Sequence, residues 1–96
     1  MHVLPLAKID FIEAQDDYLS FAVGGRRLQK QQTMGELEAQ LDAGRFVRVH
    51  RSYLLNVERL ARLELYAKDS WIAILADGTR IPVSRAGHAR LKELLG

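Results

Sequence analysis

Cysteine is absent from the 96 residues of this sequence. A chain without cysteine forms no disulfide and offers no thiolate to a metal, so we expect the fold to depend on packing alone. The sequence also has no apolar run of the roughly 18 residues that a membrane-spanning helix needs. Residues 1–6 lack the basic region and the long apolar core of a signal peptide. These absences predict a soluble cytoplasmic domain with no membrane partner.

Acidic residues are absent from two segments that are rich in arginine. Residues 43–57 contain three arginines and a histidine, and residues 78–92 contain three arginines and one lysine. Many of the acids lie instead in residues 10–17 and 36–42. The net charge is only +2, so its distribution carries more information than its total. If the two segments fold onto one side of the domain, we expect a basic face that suits an anionic partner.

Hydrophobic residues alternate with polar ones along most of the sequence, which is typical of β-strands with one buried face. Turn signals separate the strands at Asp16-Asp17, Gly24-Gly25 and Asp77-Gly78. We therefore predict one mainly β domain that covers residues 1–96. Its strands are expected at about 9–11, 19–23, 26–32, 46–49, 60–66, 71–76 and 79–83. The third of these strands has too few apolar residues for a central position, so we place it at a sheet edge.

Two short helices are predicted among the strands. Thr33 and Glu36 have the spacing of a capping box, which predicts a helix at about 34–43. Ser84 is a suitable N-cap for a last helix. We expect the leucines of that helix to pack inward, namely Leu91, Leu94 and Leu95.

The segment 46–57 breaks its own alternation at one residue. Its apolar residues at odd positions are Val47, Val49, Tyr53, Leu55 and Val57. The polar residues Arg48, His50 and Ser52 occupy even positions, but Arg51 falls among the apolar ones. A charge in a small core is costly without a partner. We therefore predict that the backbone changes direction between His50 and Ser52 and places Arg51 in solvent.

Three interpretations of this corner compete. A hydrolase would use Ser52 as nucleophile and His50 as base, but the sequence has no G-x-S-x-G elbow, and no H-x-x-x-H pair supports a metal site. A solvated strand face is the second interpretation. The third is anion binding, because arginine donors suit phosphate oxygens and guanine edges. Arg85, next to Ser84 and the free amides of a helix start, repeats the arrangement, so we favour anion binding.

Six short motifs follow one another in a fixed order. They are Ile12-Glu13-Ala14 with Asp17-Tyr18, then 37–41, the run from Phe46 to Tyr53, Asn56, Asp77-Gly78, and the run from Pro82 to Arg85. Together they resemble the LytTR family, the DNA-binding output domains of many bacterial response regulators of the AlgR/AgrA/LytR type. The resemblance covers about residues 6–94. A single motif would be weak, but six in family order are a specific signal.

This resemblance implies both a fold and a function. The family fold is an elongated stack of small antiparallel sheets with one or two short helices. Its members bind duplex promoter DNA through loops that enter successive major grooves, with another loop near the minor groove between them. They usually follow a receiver module and bind direct repeats as a pair. The resemblance therefore implies a sequence-specific transcription regulator domain of a two-component system, without cofactor or catalysis.

The DNA-binding residues that the resemblance implies lie in three places. They are Asp17, Tyr18 and Leu19 in the first loop, Arg48, His50, Arg51, Ser52 and Asn56 at the second corner, and Ser84 and Arg85 at the third. Alternatives stay open for some of them. The acids of the first loop would repel phosphates and suit a turn-bracing role, Tyr18 also fits a packed strand aromatic, and Asn56 also fits a cap. An RNA-binding or protein-interaction module that uses the basic face remains a further alternative.

Overall fold

The structure, a computed structural model, describes residues 6–41 and 44–95. Its strands are β1 Phe11–Gln15, β2 Tyr18–Val23, β3 Arg26–Gln31, β4 Phe46–His50, β5 Tyr53–Asn56, β6 Leu60–Ala67, β7 Ser70–Leu75 and β8 Arg80–Val83. The helices are α1 Met34–Glu38 and α2 Arg85–Leu95, and short 3-10 turns cover Leu6–Lys8 and Val57–Arg59. Neither α-helix of the described part of the chain is long and apolar enough to cross a membrane.

The strands form two antiparallel sheets. The larger sheet has the order β3-β2-β1-β5-β4, and the smaller one has the order β6-β7-β8. The molecule measures 43 × 24 × 23 Å. The predicted mainly β fold of small antiparallel sheets is therefore confirmed. The predicted edge position of the third strand is also confirmed, because β3 ends the larger sheet and all six of its residues are exposed.

Apart from the edge strand β3, the larger sheet carries buried residues on both of its faces. One face packs against the smaller sheet and α2, and the other packs against α1. Leu54 and Leu55 are neighbours in β5, yet they belong to different cores and are 2% and 0% exposed. The alternation predicted for 46–57 assumed a single buried face, and this was wrong: Phe46 is buried as deeply as Val47. A strand in the middle layer of three carries apolar residues on both sides.

The hairpin turns lie where the sequence places them. Asp16, between β1 and β2, has a φ of 44°, in the left-handed region that aspartate tolerates better than most residues. Gly24 and Gly25, between β2 and β3, have φ values of 54° and 85°. Two consecutive positive torsions are the geometry of the tight hairpin turn that glycine favours.

The helices differ from the prediction at their C-terminal ends. Thr33 caps α1 through its Oγ1, which accepts a hydrogen bond from the Glu36 amide at 3.1 Å. After Glu38 the amides of Gln40 and Leu41 donate to carbonyls three residues back, so α1 ends at Glu38 and not near 43. Residues 42 and 43 of the predicted helix lie outside the described residues.

Helix α2 buries only part of its predicted leucine face. Leu91 is 0% exposed, as expected, but Leu94 is 40% and Leu95 is 60% exposed. The prediction that both of these leucines pack inward was wrong. The helix runs along β4 from Val49 to Phe46, the first residue of that strand. Phe46 lines a cleft together with Leu94. The last turn of α2 therefore lies at the end of β4, where the strand no longer covers Leu94 and Leu95.

Candidate nucleic-acid interface

Backbone hydrogen bonds join three connections of the fold into one row. The amide of Ala14, beside the β1–β2 turn, donates to the Ser52 carbonyl in the β4–β5 turn at 2.8 Å. The amide of Ser84, between β8 and α2, donates to the Val49 carbonyl at 2.8 Å. We call residues 15–18, 50–52 and 84–85 the loop face. His50 and Arg85 line one cleft, so the condition that the two arginine-rich segments meet on one side of the domain holds at these two residues.

The β4–β5 turn places Arg51 in solvent, as predicted. The pairing of β4 with β5 shifts register between Arg48 and His50, and residues 51 and 52 form the turn. The Ser52 amide donates to Nδ1 of His50 at 3.1 Å, which fixes the imidazole over the turn. This nitrogen therefore bonds the serine amide, and no hydrogen bond joins the imidazole to the Ser52 hydroxyl within the described residues. The geometry gives no support to a Ser52–His50 nucleophile and base pair.

The side chain of Arg48 braces the β4–β5 turn. One terminal nitrogen of its guanidinium forms an ion pair with Glu38 at 2.6 Å, and the other donates to the Arg51 carbonyl at 2.7 Å. Its own carbonyl accepts a hydrogen bond from Arg90 of α2 at 2.9 Å. The Arg48 side chain therefore holds the backbone of Arg51 in place. Among the predicted DNA-binding residues, Arg48 supports the turn.

The Ser84–Arg85 junction is tied directly to β4. Ser84 Oγ accepts the Gly87 amide at 3.0 Å, which makes Ser84 the predicted N-cap of α2. The same hydroxyl donates to the Val49 carbonyl at 3.3 Å. Arg85, the first residue of α2, is exposed. Neither Arg85 nor Arg51 forms an ion pair within residues 6–41 and 44–95, so both guanidinium groups are available to an anion.

Two further contacts of α2 fix the direction in which Arg85 leaves the fold. Gly87 lies so close to β4 that an added Cβ would be 1.9 Å from the Val49 carbonyl oxygen. The His88 ring stacks on Trp71 of β7, with centroids 3.9 Å apart and an interplanar angle of 6°. The helix is therefore held against both sheets at its first turn. No motif prediction had included Gly87, and a glycine inside a helix is the signal that could have found it.

The first loop presents Asp17 and Tyr18 but not Leu19. Asp17 is exposed and Tyr18 is 48% exposed, whereas Leu19 is 1% exposed and packs in the core beside α1. The side chain of Leu19 is therefore removed from the predicted DNA-binding set. In an antiparallel strand successive side chains point to opposite faces, so Tyr18 and Leu19 could not both face outward.

Asn56 is a buried cap and not a surface residue. Its side chain is 0% exposed, accepts the Glu58 amide at 3.0 Å and donates to the Ile9 carbonyl at 2.8 Å. These bonds hold the 3-10 turn Val57–Arg59 and tie β5 to the residues before β1. The alternative role of Asn56 as a cap is confirmed, and its inclusion among the DNA-binding residues was wrong.

Charges around the loop face are mixed. The Asp16–Asp17 turn adjoins the basic β4–β5 turn, so the acids are not segregated to the opposite side as the distribution along the sequence had suggested. Other acids are engaged by arginines, as in the pair of Glu13 with Arg27 at 3.1 Å. Glu13 also accepts a hydrogen bond from the Tyr53 hydroxyl at 3.0 Å. Two causes raise the pKa of Tyr53: burial, which is the larger, and this hydrogen bond.

A fourth connection, the β6–β7 turn, also reaches the loop face. This connection was not predicted from the sequence. An open cleft of about 380 Å³ is lined by His50 and Arg85 together with Tyr66 and Asp69 of the β6–β7 hairpin. Tyr66 is 71% exposed. Topology was the available signal: successive turns of an antiparallel meander alternate between its two ends, so the β6–β7 turn lies at the same end as Ser84.

Comparison with known proteins identifies the family and supports the fold. The sequence profile of the family described as the LytTr DNA-binding domain matches residues 1–96. The chain belongs to the LytTR family. A solved LytTr DNA-binding domain from Bacillus cereus superposes on this LytTR domain with a TM-score of 0.88 and 25% sequence identity. The match covers 97% of this chain and 85% of that one.

Relatives of the LytTR domain are longer proteins. The sensory transduction protein LytT of Bacillus subtilis is 36% identical over 63 residues, which are 66% of this chain and 26% of that protein. The heme-containing CO-sensing transcriptional regulator RcoM 1 of Paraburkholderia xenovorans is 33% identical over 92 residues, 91% of this chain and 34% of that protein. The chain thus spans about a quarter to a third of the length of these curated relatives.

Proposed function

We propose that this LytTR domain is the sequence-specific DNA-binding part of a bacterial transcription regulator, and that it contacts duplex DNA through the loop face. The observation that carries the proposal is the pair of backbone bridges, Ala14 to Ser52 and Ser84 to Val49, which hold three connections in a fixed relation. Fixed spacing is what simultaneous contact with a regular double helix requires. Rigid loops also lose little conformational entropy on binding.

Each connection offers a different exposed side chain to DNA. Arg85 can form a bidentate pair with a guanine edge, and Arg51 suits a phosphate or the minor groove. Tyr18 adds a phenol beside the first turn. The long dimension of the molecule, 43 Å, exceeds the repeat of about 34–36 Å between successive major grooves. We expect the loops of a single copy to reach two successive grooves, with the Arg51 turn between them.

The rest of the regulator is proposed from the relatives. They include a sensory transduction protein and a heme-containing CO-sensing regulator, each far longer than the matched region. We expect the same arrangement here, in which a receiver or another sensing module controls the domain. We also expect two copies to bind direct repeats in promoter DNA, in the cytoplasm.

The test begins with selection of bound duplexes from a random pool, followed by affinity measurements on the selected and on a random duplex. Arg85→Ala is expected to weaken binding to the selected site by about 5- to 150-fold, which corresponds to the loss of one arginine–guanine contact. The variant should also lose its base preference at one position of the site. Arg51→Ala is expected to weaken both duplexes alike and to lower the salt slope by about one.

Arg26→Ala is the matched control, because it removes the same charge at the far end of β2, next to Gly25. It should leave both affinities nearly unchanged. Equal losses on the selected and the random duplex for Arg85→Ala would contradict base reading by Arg85. Stronger competition by structured RNA or single strands than by duplex would contradict the proposed function itself.

A further inference from the structure

The β6–β7 hairpin is placed beside the loop face by its pairing with β8. Trp71 of β7 pairs with Val83, the residue before the Ser84 junction. Ala67 pairs with Ser70 at the end of the hairpin, so the turn between them extends past the Ser84 end of the smaller sheet. The tip of the hairpin therefore borders the surface that carries Arg85.

The side chains of this hairpin combine a donor hydroxyl with a positive charge. Tyr66 is 71% exposed, and its hydroxyl has no partner within the described residues. Lys68 follows in the turn and is exposed. Tyrosine hydroxyls and lysine ammonium groups are common donors to phosphate oxygens, and they carry no base preference. Asp69, whose φ of 59° turns the chain, lines the cleft and opposes a phosphate there.

We propose that Tyr66 and Lys68 form a further DNA contact, in which they bind a backbone phosphate next to the groove that Arg85 enters. This inference rests on the proposed function. The occupant is the phosphate backbone of duplex DNA, because Tyr66 lines the same cleft as Arg85 and Lys68 is exposed in the turn that follows Tyr66.

The salt dependence of duplex binding tests this contact. Lys68→Gln is expected to lower the slope of log affinity against log salt by about 0.9 and to weaken binding roughly five- to tenfold at 0.1 M salt, equally on selected and random duplexes. Tyr66→Phe keeps the ring and removes only the hydroxyl, and it should weaken binding about 2- to 10-fold. Both side chains are exposed, so both variants should fold normally.

Lys8→Gln is the matched control, because Lys8 lines a separate cleft beside Gly24 and Gly25, at the far end of β2. An unchanged slope for Lys68→Gln, in a wild-type protein that binds duplex, would overturn the hairpin contact and leave the proposed function standing. An equal drop for Lys8→Gln would also overturn it, since the effect would then reflect net charge. Failure of the wild-type chain to bind any duplex would overturn both proposals.

Discussion

Replacing Gly87 with alanine tests how closely α2 must approach β4. The added methyl carbon would be 1.9 Å from the Val49 carbonyl oxygen and 2.4 Å from its carbonyl carbon. Both atoms belong to the backbone of a central layer, so neither can rotate away. The first turn of α2 must therefore shift outward by more than 1 Å to restore an ordinary contact distance.

Three effects set the size of the change in stability. Alanine is better than glycine inside a helix by about 1 kcal/mol, which on its own would make Gly87→Ala stabilising. Overpacking costs about 1–3 kcal/mol. Displacement of the helix also stretches the two hydrogen bonds from Ser84 to the Val49 carbonyl, each worth about 0.5–1.5 kcal/mol. We therefore expect a net loss of about 1–5 kcal/mol in the free energy of unfolding.

Denaturant unfolding of wild type, Gly87→Ala and Gly35→Ala measures this difference. Gly35 is the matched control, because it also lies in a helix but an added Cβ meets nothing within 4 Å. Gly35→Ala should be neutral or up to about 1 kcal/mol more stable. The folded Gly87→Ala protein should also lose affinity for a selected duplex, because Arg85 is displaced. Equal stability of Gly87→Ala and wild type would refute the close approach of α2 to β4.

Two other predictions concern buried polar groups. Asn56→Ala should cost about 2–4 kcal/mol of unfolding free energy, because the Ile9 carbonyl and the Glu58 amide lose their partner. The DNA affinity of the folded fraction should stay the same, and a loss of affinity without a loss of stability would restore Asn56 as a DNA contact. The second prediction concerns Tyr53, whose raised pKa means that the folded state holds the phenolic proton more tightly than the unfolded state. Its stabilisation is complete below the ordinary tyrosine pKa and is lost as the pH rises through the folded-state value. In unfolding titrations above about pH 10, wild type should lose stability more steeply than Tyr53→Phe, and parallel curves would count against the raised pKa that burial and the Glu13 hydrogen bond give Tyr53.

Turns and caps were the features that local sequence could predict. Gly24-Gly25 and Ser84 act on their immediate neighbours, through a positive backbone torsion and a hydrogen bond to an amide three residues away. The exposed position of Arg51 was predictable for a similar reason, since a charge at an apolar position forces the chain to turn. These effects need no knowledge of distant parts of the chain.

The sequence by itself determined that this protein is a mainly β chain of the LytTR type, with basic corners between its strands. Only the tertiary structure decided which residues those corners offer to a partner. It buried Leu19 and Asn56, engaged Arg48 with Glu38, and brought Tyr66 to the cleft that Arg85 lines. The physical reason is that burial on both faces of a middle sheet, and contact between connections far apart in sequence, depend on how the layers stack. Local alternation carries no information about that stacking.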